Sequence, residues 1–225
     1  MLSLYLAIPL APLVGSIVSG LFRRAVGRAG AQWAAIVGVA LATVLSGVVF
    51  WHTVVLGAEP FNGSVYTWAL SGGLRFEVGF LVDSLSASMM LVVSFVSLMV
   101  HVYTIGYMRE DPGYQRFFSY ISFFTFAMLM LVMSNNFLQL FFGWEAVGLA
   151  SYLLIGFWYE RETAVAANLK AFMVNRAGDF GFLLGIAAVL AYFGSLDYGE
   201  VFAAAPQLKD VTVQVLPGVE WSLMT

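Results

Sequence analysis

Long apolar runs without a charged side chain make up most of this chain. They occupy positions 1–22, 29–58, 84–108, 117–144 and 180–196, interrupted only by two histidines. Each of the first four runs is long enough to cross the hydrocarbon core of a bilayer, which needs about 20 apolar residues. The pattern therefore predicts an all-α polytopic membrane protein.

The stretch from position 117 to position 159 contains a single charged side chain, Glu145. As one helix it would be roughly 65 Å long, about twice the hydrocarbon thickness of a membrane, so the chain must fold back within it. The turn-forming pair Asn135-Asn136 predicts where it does so, which gives spans at 117–134 and 137–158. Glu145 then lies near the middle of the fifth span.

Residues 57–82, between the second and third spans, follow a different pattern. They combine Pro60, turn glycines and alternating apolar positions, which predicts a β-hairpin on the extracytoplasmic side. Asp83-Ser84 then supplies plausible N-cap residues for the third helix. A sixth helix is predicted from about 164 to 194.

These elements divide the chain into four parts. Helices 1 and 2 occupy 1–56, the hairpin occupies 57–82, and helices 3–6 occupy 83–194. Residues 195–225 are predicted to form an extracytoplasmic connection, with a short amphipathic helix near 198–205, and the start of a truncated further element. We therefore expect about six transmembrane helices in a fragment of a longer protein. Partner helices are also expected, because polar groups left facing lipid are costly.

The loop cations are unevenly divided between the two sides of this six-span arrangement. One side carries Arg75 and Lys209. The other side carries Arg23, Arg24, Arg28, Arg109, Arg116 and Arg161. Because cytoplasmic loops are enriched in Lys and Arg, the N-terminus and the hairpin are predicted to lie outside the cytoplasm.

The composition agrees with a membrane protein and excludes several functions. Hydrophobic residues make up 61% of the chain and charged residues 10%, and the mean hydropathy is +0.88. A net charge of −3, with no basic cluster longer than Arg23-Arg24, excludes nucleic acid as a partner. The lack of cysteine excludes disulfides, thiolate metal sites and Cys-ligated iron–sulfur clusters. No metal or cofactor is expected in this chain.

Glu145 is the strongest chemical signal, because an ionisable side chain near the bilayer centre is costly and is functional by default. A buried carboxyl group holds its proton more readily than one in water, so it can bind and release protons near neutral pH. Small residues surround it in the sequence and let helices approach closely: Gly143, Gly148, Ala150 and Ser151. We predict a proton-carrying role for Glu145. The alternative is that it only holds two helices together.

Helix six carries three further charged candidates. Arg176 and Asp179 are three residues apart and can pair on one helical face. Either they form a local ion pair, or Asp179 faces Glu145 while Arg176 balances the charge of that pair. Lys170 lies on the opposite face from Asp179, and it either extends to the membrane interface or belongs to a proton entry route. His101, in the third span, is either a proton relay or a hydrogen-bonded packing residue.

Three sequence blocks are specific enough to indicate a family. They are HVYTIGYMRED at 101–111, the stretch at 117–159 that contains GWEAVGLASY, and KAFMVNRAGDFGF at 170–182. On these blocks the chain resembles the antiporter-like L-subunit family of bacterial NADH-quinone oxidoreductase, respiratory complex I, to which mitochondrial NADH dehydrogenase subunit 5 is related. The resemblance covers nearly the whole chain, including the LVDSLSASMM start of the third span.

The resemblance implies an antiporter-like, proton-translocating subunit of NADH:quinone oxidoreductase in the bacterial inner (plasma) membrane. It implies that Glu145 corresponds to the essential glutamate of helix five, and Arg176 and Asp179 to the charged pair of helix six. NADH, flavin, iron–sulfur clusters and quinone would be bound by partner subunits, and other membrane-arm subunits of complex I would surround this one. The lysine that pairs with the glutamate in the family lies on a later helix, beyond Thr225.

Two other functions fit the same residues. Multi-subunit sodium/proton antiporters share this ancestry and the central glutamate, so the chain could belong to such a transporter. Alternatively, the chain could be a structural scaffold of the membrane arm, in which Glu145, Arg176 and Asp179 only specify helix packing. Neutral variants would then lose assembly rather than transport.

Overall fold

The computed structural model describes residues 2–72, 74–208, 211–216 and 219–222. Six helices in this part of the chain are long and apolar enough to cross a membrane, which confirms the predicted fold class. They are α1 (Leu2–Gly20), α2 (Arg23–Phe50), α3 (Ser84–Tyr107), α4 (Tyr114–Val132), α5 (Phe137–Ile155) and α6 (Glu162–Phe193). A π-helical turn, Trp51–Val55, extends α2.

The predicted hairpin lies between α2 and α3. Its strands β1 (Phe61–Ser71) and β2 (Leu74–Val82) pair antiparallel, beginning with Phe61 opposite Val82. After α6 come the short helix α7 (Tyr198–Ala204), a 3₁₀ turn (Ala205–Leu208) and a second antiparallel pair, β3 (Thr212–Leu216) and β4 (Val219–Ser222). Lys209, one of the loop cations, and Thr225, the expected point of truncation, lie outside the described residues.

Side-chain caps begin α3 and α5 where the sequence predicts helix starts. The Asp83 carboxylate accepts a hydrogen bond from the Ser86 backbone N–H at 2.7 Å, and the Ser86 hydroxyl oxygen accepts one from the Asp83 N–H at 2.8 Å. The Asn136 amide oxygen accepts from the Gln139 N–H at 2.8 Å. Both caps satisfy donors that a helix N-terminus otherwise leaves free, so both boundaries follow from local chemistry.

The second helix begins earlier than its apolar run. The charged segment Arg23 to Arg28 belongs to α2, and Gly27, with φ +65°, interrupts the helical backbone within it. Glycine adopts this left-handed conformation without the steric cost that a Cβ atom brings. The kink allows the helix to start in the polar segment next to the turn after α1 and to continue into the apolar span.

The core of the described chain lies among α1, α2, α3, α4 and the hairpin. One buried cluster near the hairpin contains Tyr5, Ile8, Ala42, Val49, Phe80, Val82, Ala87, Met90, Leu129 and Met133. A second cluster contains Ala35, Ile36, Met108, Tyr114, Phe118, Ile121 and Phe157. Helix α6 lies outside both, and among the described residues only its Asp179 and Ile186 are buried. Most of its apolar surface is therefore not covered by the described residues.

The six loop arginines lie at one end of the helices, here called the arginine end. Two hydrogen bonds show how its segments meet: the Arg28 guanidinium donates to the Arg109 carbonyl at 2.7 Å, and the Gln115 amide donates to the Arg23 carbonyl at 2.8 Å. Trp158 donates to the Asp111 carboxylate at 2.9 Å and joins the loop after α5 to the loop after α3.

At the opposite end, here called the hairpin end, three connecting segments contact one another. They are the hairpin, the turn between α4 and α5, and the segment after α6. The Gln139 amide oxygen accepts from the Gly79 N–H of β2 at 2.8 Å, and the Tyr198 N–H donates to the Asn135 carbonyl at 3.1 Å. The Tyr198 hydroxyl lies 3.3 Å from that of Ser134, and burial raises the pKa of Tyr198 above its ordinary value of about 10. The turn between α4 and α5 is therefore held by both the hairpin and the segment after α6.

Candidate functional site

Glu145, Arg176 and Asp179 meet where α5 and α6 touch. The guanidinium Nη1 of Arg176 forms an ion pair with Oε2 of Glu145 and lies 3.3 Å from Oδ2 of Asp179. Arg176 therefore bridges a carboxylate on each helix. The local pair on α6 is therefore present, and it also connects to Glu145 through the shared guanidinium.

Trp144 completes this charged cluster, and the sequence reasoning missed it. Its indole Nε1–H donates to Oδ1 of Asp179 at 2.8 Å, so each carboxylate oxygen of Asp179 faces a donor. The ring also packs against Phe182 of α6, with centroids 5.7 Å apart. The available signal was its position next to Glu145, together with the need of an indole N–H for an acceptor when water is excluded.

The cluster is only partly enclosed by the described chain. The exposed fractions of the side chains are 38% for Arg176, 22% for Glu145 and 12% for Asp179. The described chain thus does not show a centrally buried glutamate, and Asp179 is the most buried of the three side chains. The reason is geometric, since the main helix that packs on α6 in the described chain is α5.

The formal charge of the cluster is negative. Arg176 contributes one positive charge and the two carboxylates contribute two negative ones, and no other cation among the described residues pairs with them. An uncompensated charge is costly in a low-dielectric environment. The arrangement can therefore accept one further positive charge, either a proton on a carboxylate or a cationic side chain from outside the described residues.

Lys170 does not join the cluster. Its side chain is exposed, and it makes no ion pair or hydrogen bond with any residue that the structure describes. Phe172, which lies between Lys170 and Arg176 in the sequence of α6, does contact the cluster. The Cζ atom of Arg176 lies 4.8 Å from the centroid of its ring. Both alternatives for Lys170, the membrane interface and a proton entry route, stay predictions.

His101 is fully buried between α3 and α4, in a separate polar group. Its Nδ1 lies 2.8 Å from the Ser97 carbonyl oxygen, which can only accept, so Nδ1 carries the proton and Nε2 accepts from the Ser122 hydroxyl at 2.9 Å. The Ser97 hydroxyl also bonds to that of Thr125. Within the described chain, no hydrogen bond links this group to Glu145, so the relay and packing roles both stay open.

The glycines near Glu145 differ in what they contact. A Cβ atom at Gly143 would lie 2.8 Å from the Leu131 Cα atom, so this glycine lets α4 and α5 approach closely. A Cβ atom at Gly148 would meet nothing within 4 Å in the described chain. Only the first of the two glycines therefore has its predicted packing role here.

The acidic and histidine side chains of the described residues form no metal site. No group of three or more His, Cys, Asp or Glu residues in this part of the chain could hold a metal ion.

Two family models match separate parts of the chain. Residues 68–118 match the N-terminus of chain 5 of NADH-ubiquinone oxidoreductase (complex I), and residues 134–219 match the transmembrane model of NADH:quinone oxidoreductase and the Mrp antiporter. The second match contains Trp144, Glu145, Arg176 and Asp179.

A curated relative matches the whole chain, and two solved structures share its fold. The chain is 62% identical to NADH-quinone oxidoreductase subunit L of Neisseria meningitidis serogroup B, over 100% of this chain and 34% of that protein. It thus spans about a third of the length of this relative. A chain of the Mrp complex from Dietzia sp. DQ12-45-1b has a TM-score of 0.73 at 22% identity, covering 88% of this chain and 20% of that chain. A chain of an archaeal membrane-bound sulfane sulfur reductase has a TM-score of 0.72 at 23% identity, covering 89% and 30%. These two likenesses show a shared antiporter-like fold.

Proposed function

This chain belongs to the family of NADH-quinone oxidoreductase subunit L, and on that premise we propose that it is the N-terminal part of a proton-translocating, antiporter-like subunit. NADH oxidation and quinone reduction, with their flavin and iron–sulfur clusters, take place in partner subunits. The chain is a multi-pass membrane protein. Its proposed neighbours are the other membrane-arm subunits of complex I in the bacterial inner membrane, and no redox step uses its own residues.

The observation that supports proton transport is the negative charge of the cluster between α5 and α6. One guanidinium is shared by Glu145 and Asp179, and the cluster can accept one more positive charge. A mobile proton can supply that charge without any rearrangement of the backbone. A purely structural contact would be expected to carry balanced charges, because unbalanced charge in a membrane is costly.

The proposed cycle alternates the partner of Glu145. While Arg176 or a further cation lies beside it, the carboxylate is stabilised in its charged form. When that cation moves away, the charged form loses its partner in a low-dielectric environment and binding of a proton becomes favourable. Return of the cation releases the proton. Asp179 and Trp144 position Arg176, since Asp179 competes for the same guanidinium and Trp144 orients Asp179.

We expect Trp144→Phe to slow NADH-driven proton uptake by up to about tenfold while the complex still assembles. The variant keeps an aromatic ring against Phe182 but removes the donor to Asp179, and a hydrogen bond to a charged group contributes about 1.5–3 kcal/mol before allowance for partial exposure. Proton uptake in membrane vesicles, normalised to assembled complex on a native gel, measures the effect.

Trp158→Phe is the matched control, because Trp158 makes the same kind of hydrogen bond to Asp111 at the arginine end. It should leave the uptake rate close to that of the wild type. Equal slowing in both variants would mean that Trp144 has only a general structural role.

Sodium/proton antiport is the second candidate function, because the family model that matches residues 134–219 covers the Mrp antiporter as well as NADH:quinone oxidoreductase. The two functions differ in what drives transport. In the first, proton uptake by vesicles depends on NADH and stops with a quinone-site inhibitor. In the second, uptake follows an imposed Na⁺ gradient without NADH. Genes for hydrophilic redox subunits next to this one would also favour the first.

The proposed orientation places the hairpin outside the cytoplasm and the arginine end inside. The 225 residues contain no cysteine, so single cysteines can serve as reporters once the rest of the full-length subunit is also cysteine-free. In intact cells, a membrane-impermeant maleimide should label Thr67→Cys in β1 and leave Glu110→Cys unlabelled. Both positions are exposed and should react after the membrane is permeabilised. The reverse pattern would overturn the orientation.

A further inference from the structure

The arginine end contains a cavity of about 400 Å³ that plays no part in the proposed proton cycle. Three cationic side chains from different segments line it: Arg23 at the start of α2, Arg116 in the first turn of α4 and Arg161 in the loop before α6. Because these residues are far apart in the sequence, only the tertiary structure brings them to one place.

The guanidinium groups in this cavity have few protein acceptors. Arg116 donates from Nη2 to the Phe157 carbonyl at 3.1 Å, while its Nε is buried and has no hydrogen-bond partner in the described chain. The side chains of Arg23 and Arg161 make no hydrogen bond or ion pair with any described residue. Each guanidinium offers five N–H donors, so the cavity presents many unpaired donors to an anion.

The acidic residues beside the cavity do not neutralise these arginines. Both carboxylate oxygens of Asp111 are engaged, one by the Gly113 N–H at 2.6 Å and the other by the Trp158 indole at 2.9 Å. Glu160 also lines the cavity but forms no ion pair with a described residue. The lining residues carry three positive and two negative charges, which leaves a net positive charge.

The position of the cavity indicates a ligand from the membrane. It lies at the ends of membrane-spanning helices, beside the partly exposed rings of Trp158 and Tyr159, and such aromatic residues are enriched at the level of lipid headgroups. Leu21 and Phe22, next to Arg23 in the chain, are 81% and 56% exposed and are available to contact acyl chains. Basic pockets between transmembrane helices are suited to anionic lipid headgroups.

We propose that this cavity binds the phosphate headgroup of an anionic phospholipid through Arg23, Arg116 and Arg161. The planar guanidinium forks match phosphate oxygens in a bidentate manner. The stacked rings hold two of them in place, since Arg116 lies 4.7 Å from the Phe157 ring centroid and Arg161 lies 5.0 Å from that of Trp158. The lipid would join the turn after α1, the start of α4 and the loop between α5 and α6.

The test uses the assembled complex with the full-length subunit, reconstituted into phosphatidylcholine vesicles that contain a photoactivatable phosphatidylglycerol. We expect labelling of peptides that contain residues 111–116 and 157–161, with competition by unlabelled phosphatidylglycerol. Arg116→Gln and Arg161→Gln should each lower labelling about fivefold, the change expected for loss of one basic residue at an anionic surface. Arg109→Gln, which removes an exposed arginine at the same end but outside the cavity, should leave it unchanged.

Three labelling results and one competition result would overturn the proposal. The labelling results are absence of labelling in the wild type, equal labelling in Arg161→Gln, and equal labelling by a photoactivatable phosphatidylcholine. If inorganic phosphate competes as well as phosphatidylglycerol, the cavity is a site for a free anion and the lipid assignment is wrong. Only assembled complexes are compared. If Arg116→Gln does not assemble, Arg161→Gln decides the outcome, since its side chain makes no hydrogen bond within the described chain.

Discussion

Glu145→Gln in the full-length subunit should remove most NADH-driven proton uptake while the amount of assembled complex stays close to that of the wild type. Glutamine has nearly the same shape, and its amide oxygen can still accept a hydrogen bond from Arg176 across the α5–α6 contact. It cannot exchange a proton in the physiological range, and it changes the formal charge of the cluster from −1 to zero. The substitution therefore keeps the contact and removes the proposed chemistry.

Proton uptake and quinone reduction are measured in the same membrane vesicles, with assembled complex quantified on a native gel. Glu160→Gln is the control, because it removes the same charge from an exposed loop residue that has no ion pair in the described chain. Normal assembly with normal uptake in Glu145→Gln would refute the proton-carrying role. Loss of the assembled complex would instead favour the structural scaffold.

Gly38→Ala should strongly lower the amount of folded subunit in the membrane, because α1 and α2 cross too closely for a side chain at this position. A Cβ atom at Gly38 would lie 2.5 Å from the Ala11 carbonyl oxygen, and a Cβ atom at Gly15 would lie 2.9 Å from the Ala34 carbonyl oxygen. The obstructing atoms belong to the backbone and cannot move away alone. The helices would have to separate, and overpacking of this kind costs about 1–3 kcal/mol or more.

The matched control is Gly47→Ala in the same helix, where the new Cβ atom would meet only the Leu91 Cδ1 atom at 3.9 Å. Alanine is favoured over glycine within a helix by about 1 kcal/mol, so this variant should be neutral or slightly stabilising. Subunit abundance in membranes and complex on a native gel report both variants. Equal abundance of the two would show that the close crossing of α1 and α2 is not needed for folding.

Much of the fold could be predicted because its signals are local. Spans longer than the bilayer thickness must fold back, and caps such as Asp83 and Asn136 mark where helices begin. The start of α2 was less predictable. Its first residues are charged, and the kink at Gly27 that joins them to the apolar span is a backbone feature without a hydrophobic pattern.

The candidate site could also be predicted only in part. The pairing of Arg176 with Asp179 follows from helical spacing, and Glu145 is prominent as the one charged residue of its span. The link between them, the part played by Trp144 and the separation of His101 do not follow from spacing. These depend on which faces of α3, α4, α5 and α6 meet.

The membrane spans, the hairpin, the family and the charged residues of interest could all be predicted from the sequence, because each depends on composition or on neighbours within a few positions. Three features depend instead on how the helices pack: Arg176 joins two carboxylates, Glu145 stays partly exposed in the described chain, and three distant arginines line one cavity. Packing sets the rotation of each helix relative to its neighbours, and this rotation determines which side chains meet. Many small contacts, such as those of Gly38 and Gly143, determine that rotation together.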